Sequence, residues 1–486
     1  MSAGHCQRLL PARDIVAFTS HLRTFSMPST VAAALLHLKD LRGVDGNVQL
    51  VRDAHFAVMS PVMMFIDCGI SFTTISPALS CMGKMVLLPV WILSTWVENL
   101  VQQLEDVNLL SSPSRNIDDL STVETDVFII GAGSSPYRLT QHDVAEDLRQ
   151  YATNFHLNVI LSTTIHSTSY NSSEKKWTIK LKTADGGQGK TIISKQFVQA
   201  TGIGCQKPYL PLLEDEHLFE GLSVHSAHFR NARSLSEQGI KSVVVISSAN
   251  TAFDVMQECY NAGLKTTMVA RSPTYIFPYE YVMDPHGIGA YDNMPLDVAD
   301  RLLKTFPLAL DGQFSHGPLA HLASQEPDRY LALAQAGFPV LDSRDPSADV
   351  QHHLAERGGG HYIDVGAVRG RVGPVGYTKT RLRLSDGSVL DANAVIWCTG
   401  FADKDVRAMA SEVLGMVEPD ATNDNNVLGP KDIAARLDAS WGVDAEGEVR
   451  GVWKHHLRME NYWTIGGVIQ QQRWWSRLMT SFSSDY

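Results

Sequence analysis

The stretch Lys241–Thr274 (KSVVVISSANTAFDVMQECYNAGLKTTMVARSPT) carries the residue types best spaced to hold a nucleotide. Ser247, Ala249 and Ala252 are the small positions of a turn. It lies between an apolar run, Ser242–Ile246, and a helical pattern, Thr251–Ala262, closed by Gly263. Backbone N–H groups at such a helix start receive a pyrophosphate, and the residue after the next strand reads the ribose. Thr266–Ala270 is that strand and Arg271 stands at its tip. An acid there suits a free 2′-hydroxyl, whereas an arginine suits a 2′-phosphate, so Arg271 argues for NADP(H). The glycines of the G-x-G-x-x-G fingerprint are replaced, and each added Cβ crowds the turn. A plain βαβ element of another α/β fold is the alternative.

A second fingerprint lies upstream. Asp126–Gly133 (DVFIIGAG) runs an apolar strand into Gly131-Ala132-Gly133, and Pro136 occupies the third glycine position. A helix is expected over Thr140–Phe155, with Val144, Leu148 and Tyr151 on one face, then a strand over Leu157–Thr163. No acid ends that strand, so the phosphate turn is present and the ribose reader is missing. Strands follow at Thr164–Tyr170, Trp177–Thr183 and Thr191–Gln199, leading into Ala200-Thr201-Gly202. The same grammar returns at Thr380–Leu384, Ser388–Asp391 and Ala394–Cys398, leading into Thr399-Gly400-Phe401.

The elements that must position these residues sit in a chain of 486 residues, long enough for two to four domains. A net charge of −11 offers no overall basic surface for nucleic acid. The six cysteines have no metal spacing and no CxxC, which fits a reducing compartment, and scattered Asp53, His55 and Asp67 predict no metal site. The N-terminus lacks an apolar signal core, and Lys84–Val97 is too short to span a bilayer; a cytoplasmic protein without an integral membrane segment is expected. Thr30–Leu41 reads as a helix, and Val48–Met64 and Gly83–Asn99 as strands of a small α+β unit. Ser111–Thr122 reads as a polar linker. Tyr275–Gly376 is irregular apart from a helix at Leu331–Ala336 and a glycine turn into a strand at Arg357–Asp364; it reads as a substrate-facing or structural insert. Lys454-His455-His456-Arg458 reads as a solvated basic face.

Phe219-x-Gly221-xxx-His225-xxx-Phe229 resembles a motif of the class B flavin-dependent monooxygenases. Gly131-Ala132-Gly133 resembles that family's FAD fingerprint, Ser247–Ala252 with Arg271 its NADPH fingerprint, and the two x-Thr-Gly segments its closing segments. The resemblance covers about 124–480, and the chain looks similar to fungal secondary-metabolism members with a nuclear-transport-factor-like extension. It implies an α/β fold of two Rossmann-like dinucleotide-binding domains, parallel sheets with β-meander inserts, after an α+β N-terminal segment. The implied domains are 1–120 for the extension, 121–205 for the first part of the FAD domain, 206–375 for the NADPH domain with its insert, and 376–486 for the rest of the FAD domain. The resemblance also implies FAD reduced by NADPH and reacting with O2 at flavin C4a. The (hydro)peroxide then oxygenates a small organic substrate by N- or S-hydroxylation, with Baeyer–Villiger insertion into a ketone as the alternative. Gly131, Gly133 and Ser134, with Thr201, Gly202, Thr399 and Gly400, would meet FAD; Ser247, Ala249, Asn250 and Thr251 would meet the NADPH pyrophosphate and Arg271 its 2′-phosphate. His225 and Asn250 would serve the catalytic pocket.

Two departures stand out. Ser135 joins Pro136 directly, where the family has several dozen residues holding a second strand with its ribose acid. Pro89-Val90 runs into Trp91 without a visible hairpin turn. A truncated relative that binds without catalysing is therefore a further reading.

Overall fold

The computed structural model describes residues 12–15, 22–25, 28–44, 48–51, 54–60, 63–76, 78–88, 91–99, 120–130, 141–184, 189–202, 207–285, 287–304, 306–345, 360–361, 367–370, 372–402, 405–415, 426–440, 442–459, 461–467 and 469–476. Gly131, Gly133, Ser134 and the 111–119 linker lie outside these residues.

Among the described residues the N-terminal part is a seven-stranded sheet with helix α1 (Pro28–Arg42). Its strands are β1 (Ala12–Ile15), β2 (Leu22–Phe25), β3 (Gln49–Leu50), β4 (His55–Ser60), β5 (Met63–Ile75), β6 (Ala78–Leu88) and β7 (Trp91–Asn99). β5 alternates Cys68, Ile70 and Phe72 inward, and Ile70 and Phe72 pack with Cys81 under Leu38 of α1. The expected gap at Val90-Trp91 is corrected: β6 and β7 pair antiparallel with Leu88 opposite Trp91. Pro89 and Val90 between them lie outside the described residues.

The second sheet begins with β8 (Thr122–Ile130), the strand that leads into the first glycine turn. After helix α2 (Gln141–Asn154) come the antiparallel β9 (Thr163–Asn171), β10 (Lys176–Thr183) and β11 (Thr191–Gln199). The strand expected over Leu157–Thr163 is absent: that stretch is irregular, and Leu157, Val159 and Leu161 are exposed. With no neighbour to pair with, an apolar run does not become a strand. β11 runs parallel to β8, with Phe197 opposite Phe128.

The third sheet holds β12 (Leu222–His225), β13 (Ser242–Ile246), β14 (Lys265–Ala270), β18 (Ala367–Gly370) and β22 (Ala394–Trp397) in the order β12-β22-β13-β14-β18, every pair parallel. Val243, Val244, Val245 and Ile246 are buried on both faces, as a central parallel strand requires. The sheet includes β22, so the expected boundary at 375/376 cuts it. β15 (Thr274–Phe277) pairs with β16 (Val340–Leu341) and β17 (Gly360–His361), and β19 (Pro374–Tyr377), β20 (Arg381–Leu384) and β21 (Val389–Asp391) form a small meander. β23 (Val427–Leu428) and β24 (Tyr462–Thr464) return to β9 and β11 of the second sheet.

The insert is more helical than its sequence suggests. After helix α3 (Asn250–Asn261) come α4 (Leu296–Lys304) and α5 (Leu308–Gln325), which contains Pro318. The closing helix α6 (Ile469–Trp475) docks on α4 through Arg473, whose guanidinium grips Asp300 at 2.5 and 3.1 Å. Tyr291 donates to the same carboxylate at 2.8 Å.

The 454–458 cluster is not a solvated face. Lys454 pairs with Asp444 at 2.6 Å and Glu446 at 3.1 Å, while His456 is 0% exposed. His456 Nδ1 accepts the Asp438 N–H at 2.9 Å, which requires a neutral ring. Burial pushes its pKa down to about 4, against the pull of the Asp438 carboxylate. Above the ordinary His value of 6.5 folded and unfolded states are both neutral. As pH falls from 6.5 to 4 only the unfolded chain takes the proton, so stability drops, by about 3 kcal/mol below pH 4. Urea melts at pH 7 and 4.5 should show this loss, and His456→Gln should flatten it; an equal slope in the variant contradicts the assignment.

Candidate functional site

β13, the turn after it and α3 build the unit in which the sequence places a nucleotide. Ser247 follows β13 and donates its N–H to the Val269 carbonyl at 3.0 Å. Its φ is 117°, a region that favours glycine. The missing fingerprint glycine is thus replaced in the sequence without being replaced in the backbone. Ser248, buried, hydrogen-bonds Thr274 at the start of β15, which ties the turn to the insert. Ala249 caps α3 without any side-chain oxygen, and Asn250 and Thr251 open the helix. Gly263 leaves α3 at φ 76°. Ser247→Gly removes the strain, worth of order 1–3 kcal/mol, against a smaller entropic cost. The variant should be roughly 1 kcal/mol more stable by denaturant melts; a loss of stability would show that the hydroxyl holds the turn.

Arg271 leaves the end of β14, exposed, and no described carboxylate pairs with it. Its Cδ lies beside Gly373, where a Cβ would sit 3.8 Å away. β13 carries the turn, β14 carries Arg271, and the strands are adjacent and parallel. The fold therefore sets the helix start and the guanidinium at one sheet end, the usual ligand position in an open α/β sheet.

The Phe219–Phe229 stretch is a structural clasp. Phe219 stacks on Tyr377 at 4.6 Å, and Phe229 packs on the third sheet's core. A Cβ on Gly221 would lie 2.6 Å from the Asn393 carbonyl, so only glycine passes there. His225 ends β12 and is buried. Its Nδ1 accepts the Ala227 N–H at 3.1 Å, so the proton sits on Nε2, which donates to the Gly400 carbonyl at 2.9 Å. Burial lowers its pKa and keeps it neutral. Phe401 meets the imidazole edge-on at 5.3 Å.

The structure brings one Thr-Gly segment to His225. Tyr209 donates its N–H to Gly400 at 3.0 Å, and Thr399 donates its hydroxyl to the Tyr209 carbonyl. Gly400 has φ 73° and Gly202 φ 86°, so both Thr-Gly pairs use glycine for a left-handed turn. Thr201 is held by Gln199 at 3.1 Å beside β24. The two segments close different sheets: Thr201-Gly202 follows β11 of the second sheet, and Thr399-Gly400 follows β22 of the third. Asn250 is half-buried at the helix start. Ser248, Thr274 and Asn393 were missed by the sequence reading; Asn393 accepts from Lys241 N, Ser242 N and Ser242 Oγ at 3.1 Å each, and no motif signals it. Among the described residues no His, Cys, Asp and Glu group could hold a metal ion, and no helix is long and apolar enough to cross a membrane.

No family model matches the chain. It is 25% identical over 277 residues to YUCCA3 of Arabidopsis thaliana, described as a probable indole-3-pyruvate monooxygenase, covering 54% of this chain and 57% of the relative. YUCCA10 of the same plant is 23% identical over 263 residues, 52% of this chain and 61% of the relative. A probable FAD-binding monooxygenase of Acinetobacter sp, AlmA, is 32% identical over 117 residues, 23% of this chain and 22% of that one. Among solved structures, ε-caprolactone-bound cyclohexanone monooxygenase aligns with a TM-score of 0.43 at 14% identity, over 71% of this chain and 72% of that one. A flavin-containing monooxygenase from Stenotrophomonas maltophilia aligns with a TM-score of 0.37 at 17% identity, over 71% and 77%. The chain spans less than two thirds of the length of the first two plant relatives. The curated proteins it is similar to are thus monooxygenases, one of them described as FAD-binding, and the likeness to the plant enzymes runs over about half of this chain.

Proposed function

We propose that the chain is a flavin-dependent monooxygenase that takes its electrons from NADPH. The single observation that carries this reading is the nucleotide cradle: a glycine-like backbone at Ser247, an uncapped helix start at Ala249–Thr251 and an exposed Arg271 after the adjacent strand. These residues fit NADPH. The helix start and its dipole take the pyrophosphate, and the guanidinium takes the 2′-phosphate bidentately. FAD would sit on the second sheet, at the turn after β8 and beside Thr201-Gly202. When bound, FAD supplies the oxygen activation that no side chain here provides. His225 is a positioning residue in this scheme: its neutral imidazole ties the segment entering the third sheet to the segment leaving it. Ser248 and Thr274 hold the nucleotide turn against the insert, which would face the substrate and exclude water.

The substrate is proposed to be a small organic molecule, oxygenated by N- or S-hydroxylation or at a carbonyl, and the names of the plant relatives favour a keto acid within that range. The N-terminal sheet with α1 supports reading 1–120 as the nuclear-transport-factor-like extension, and the buried free thiols Cys68, Cys81, Cys259 and Cys398 support a cytoplasmic location. One observation favours a second reading. Among the described residues no strand that would carry the ribose acid pairs with β8, so a chain with impaired flavin binding is the alternative.

Arg271→Ala tests the NADPH assignment by calorimetry. NADP⁺ affinity should fall about tenfold to hundredfold, the worth of a charge-assisted pair, while NAD⁺ affinity stays unchanged. An equal loss for both would remove Arg271 from the 2′-phosphate.

A further inference from the structure

We propose that the open face beside β8 is covered by α2 of a second copy of this chain, each copy exchanging its helix with the other. The two nucleotide-type sheets differ in one respect. In the third sheet the fingerprint strand β13 has parallel neighbours on both sides, β22 and β14. In the second sheet β8 pairs with β11 and with no other described strand. One side of β8 packs inward through Val123 and Phe128, while Val127 and Ile129 are 41% and 53% exposed. An open edge with uncovered apolar side chains is a template for another chain.

The matching surface lies in the same sequence. Val144, Leu148 and Tyr151 recur at helical spacing along α2, Phe155 continues the spacing just past its end, and no described residue of that helix is buried. Tyr151 and Phe155 already stack on each other at 4.5 Å, yet they are 55% and 45% exposed. An amphipathic helix gains its stability by burying such a stripe. The charges also fit. Asp147 lies beside the stripe and, like Asp143, on an exposed part of the helix; exposed Lys180 and Lys182 project from β10 on the sheet side opposite buried Ile179 and Leu181. Ten residues, 131–140, join β8 to α2, enough to reach roughly 33 Å when extended. A second copy is the committed occupant because it supplies the stripe and the open face together, in a closed two-fold pair. The proposal rests on the sheet edge and does not depend on flavin or NADPH.

Sedimentation velocity of the full chain should show a dimer. Leu148→Glu and Ile129→Glu should each weaken it at least about tenfold while the circular dichroism of the folded chain stays unchanged. Mixing differently tagged copies of Ile129→Cys and Leu148→Cys should give a disulfide between the two tags. A monomer at every concentration, or a dimer indifferent to both charge substitutions, overturns the proposal. Cross-linking of Ile129→Cys copies to each other alone also overturns it, because that product means edge-to-edge pairing of β8 instead of helix exchange.

Discussion

Replacing Arg473 by Leu should destabilise the protein by about 3 kcal/mol, the lower end of the range for breaking a buried pair. Asp300 is 1% exposed and holds two hydrogen bonds from the guanidinium and one from Tyr291. Removing the cation leaves a carboxylate that water cannot reach and only a phenol to answer it. The lower end of the range applies because the guanidinium itself is about a third exposed. The loss should appear in denaturant melts of the purified chain. Asp300→Asn in the same background should recover much of it, since the buried charge is then gone. If the single variant melts like the parent, the α4–α6 contact does not hold the insert to the rest of the molecule.

His225→Ala should cost a similar amount, about 3 kcal/mol, from two hydrogen bonds of about 1 kcal/mol each and the cavity left by the ring. The Ala227 N–H loses its acceptor, and Gly400 keeps only the Tyr209 N–H. His225→Gln can still donate to Gly400 and should recover part of the stability. A positioning role makes a further demand: hydrogen exchange at Tyr209 and around Gly400 should accelerate in the Ala variant and less so in the Gln variant. Unchanged exchange at those amides would reduce His225 to a packing residue. Because its folded pKa is lowered, the contribution is present above the ordinary His value and is lost as pH falls through the folded pKa.

Much of this arrangement was legible in the sequence because it follows from periodicity and from residues with one backbone use. The apolar run at Ser242–Ile246, the helical spacing to Cys259 and the Gly263 stop predict the β13–α3–β14 unit within one residue at each end. Phe219, Gly221 and His225 stand where the family motif has them, although only coordinates show that Gly221 clears the Asn393 carbonyl. Other features were hidden for physical reasons. α5 contains Gly312, Gly317 and Pro318, residues whose local preference opposes a helix; tertiary packing overrides it. His456 is polar in type and looked solvated, but its environment comes from Asp438 and Thr464, which no local pattern reveals. Ser247 concealed the reverse case, a glycine conformation carried by a residue that resists it. Among the described residues β8 pairs with β11 alone. The glycine turn itself lies outside the described residues.

The most direct test of the central claim is the visible spectrum of the purified full chain mixed with FAD, desalted, then treated anaerobically with NADPH or NADH. The account predicts a protein-bound flavin band that bleaches faster with NADPH than with NADH. A chain that emerges without flavin, or a bound flavin reduced equally by both nucleotides, would contradict it.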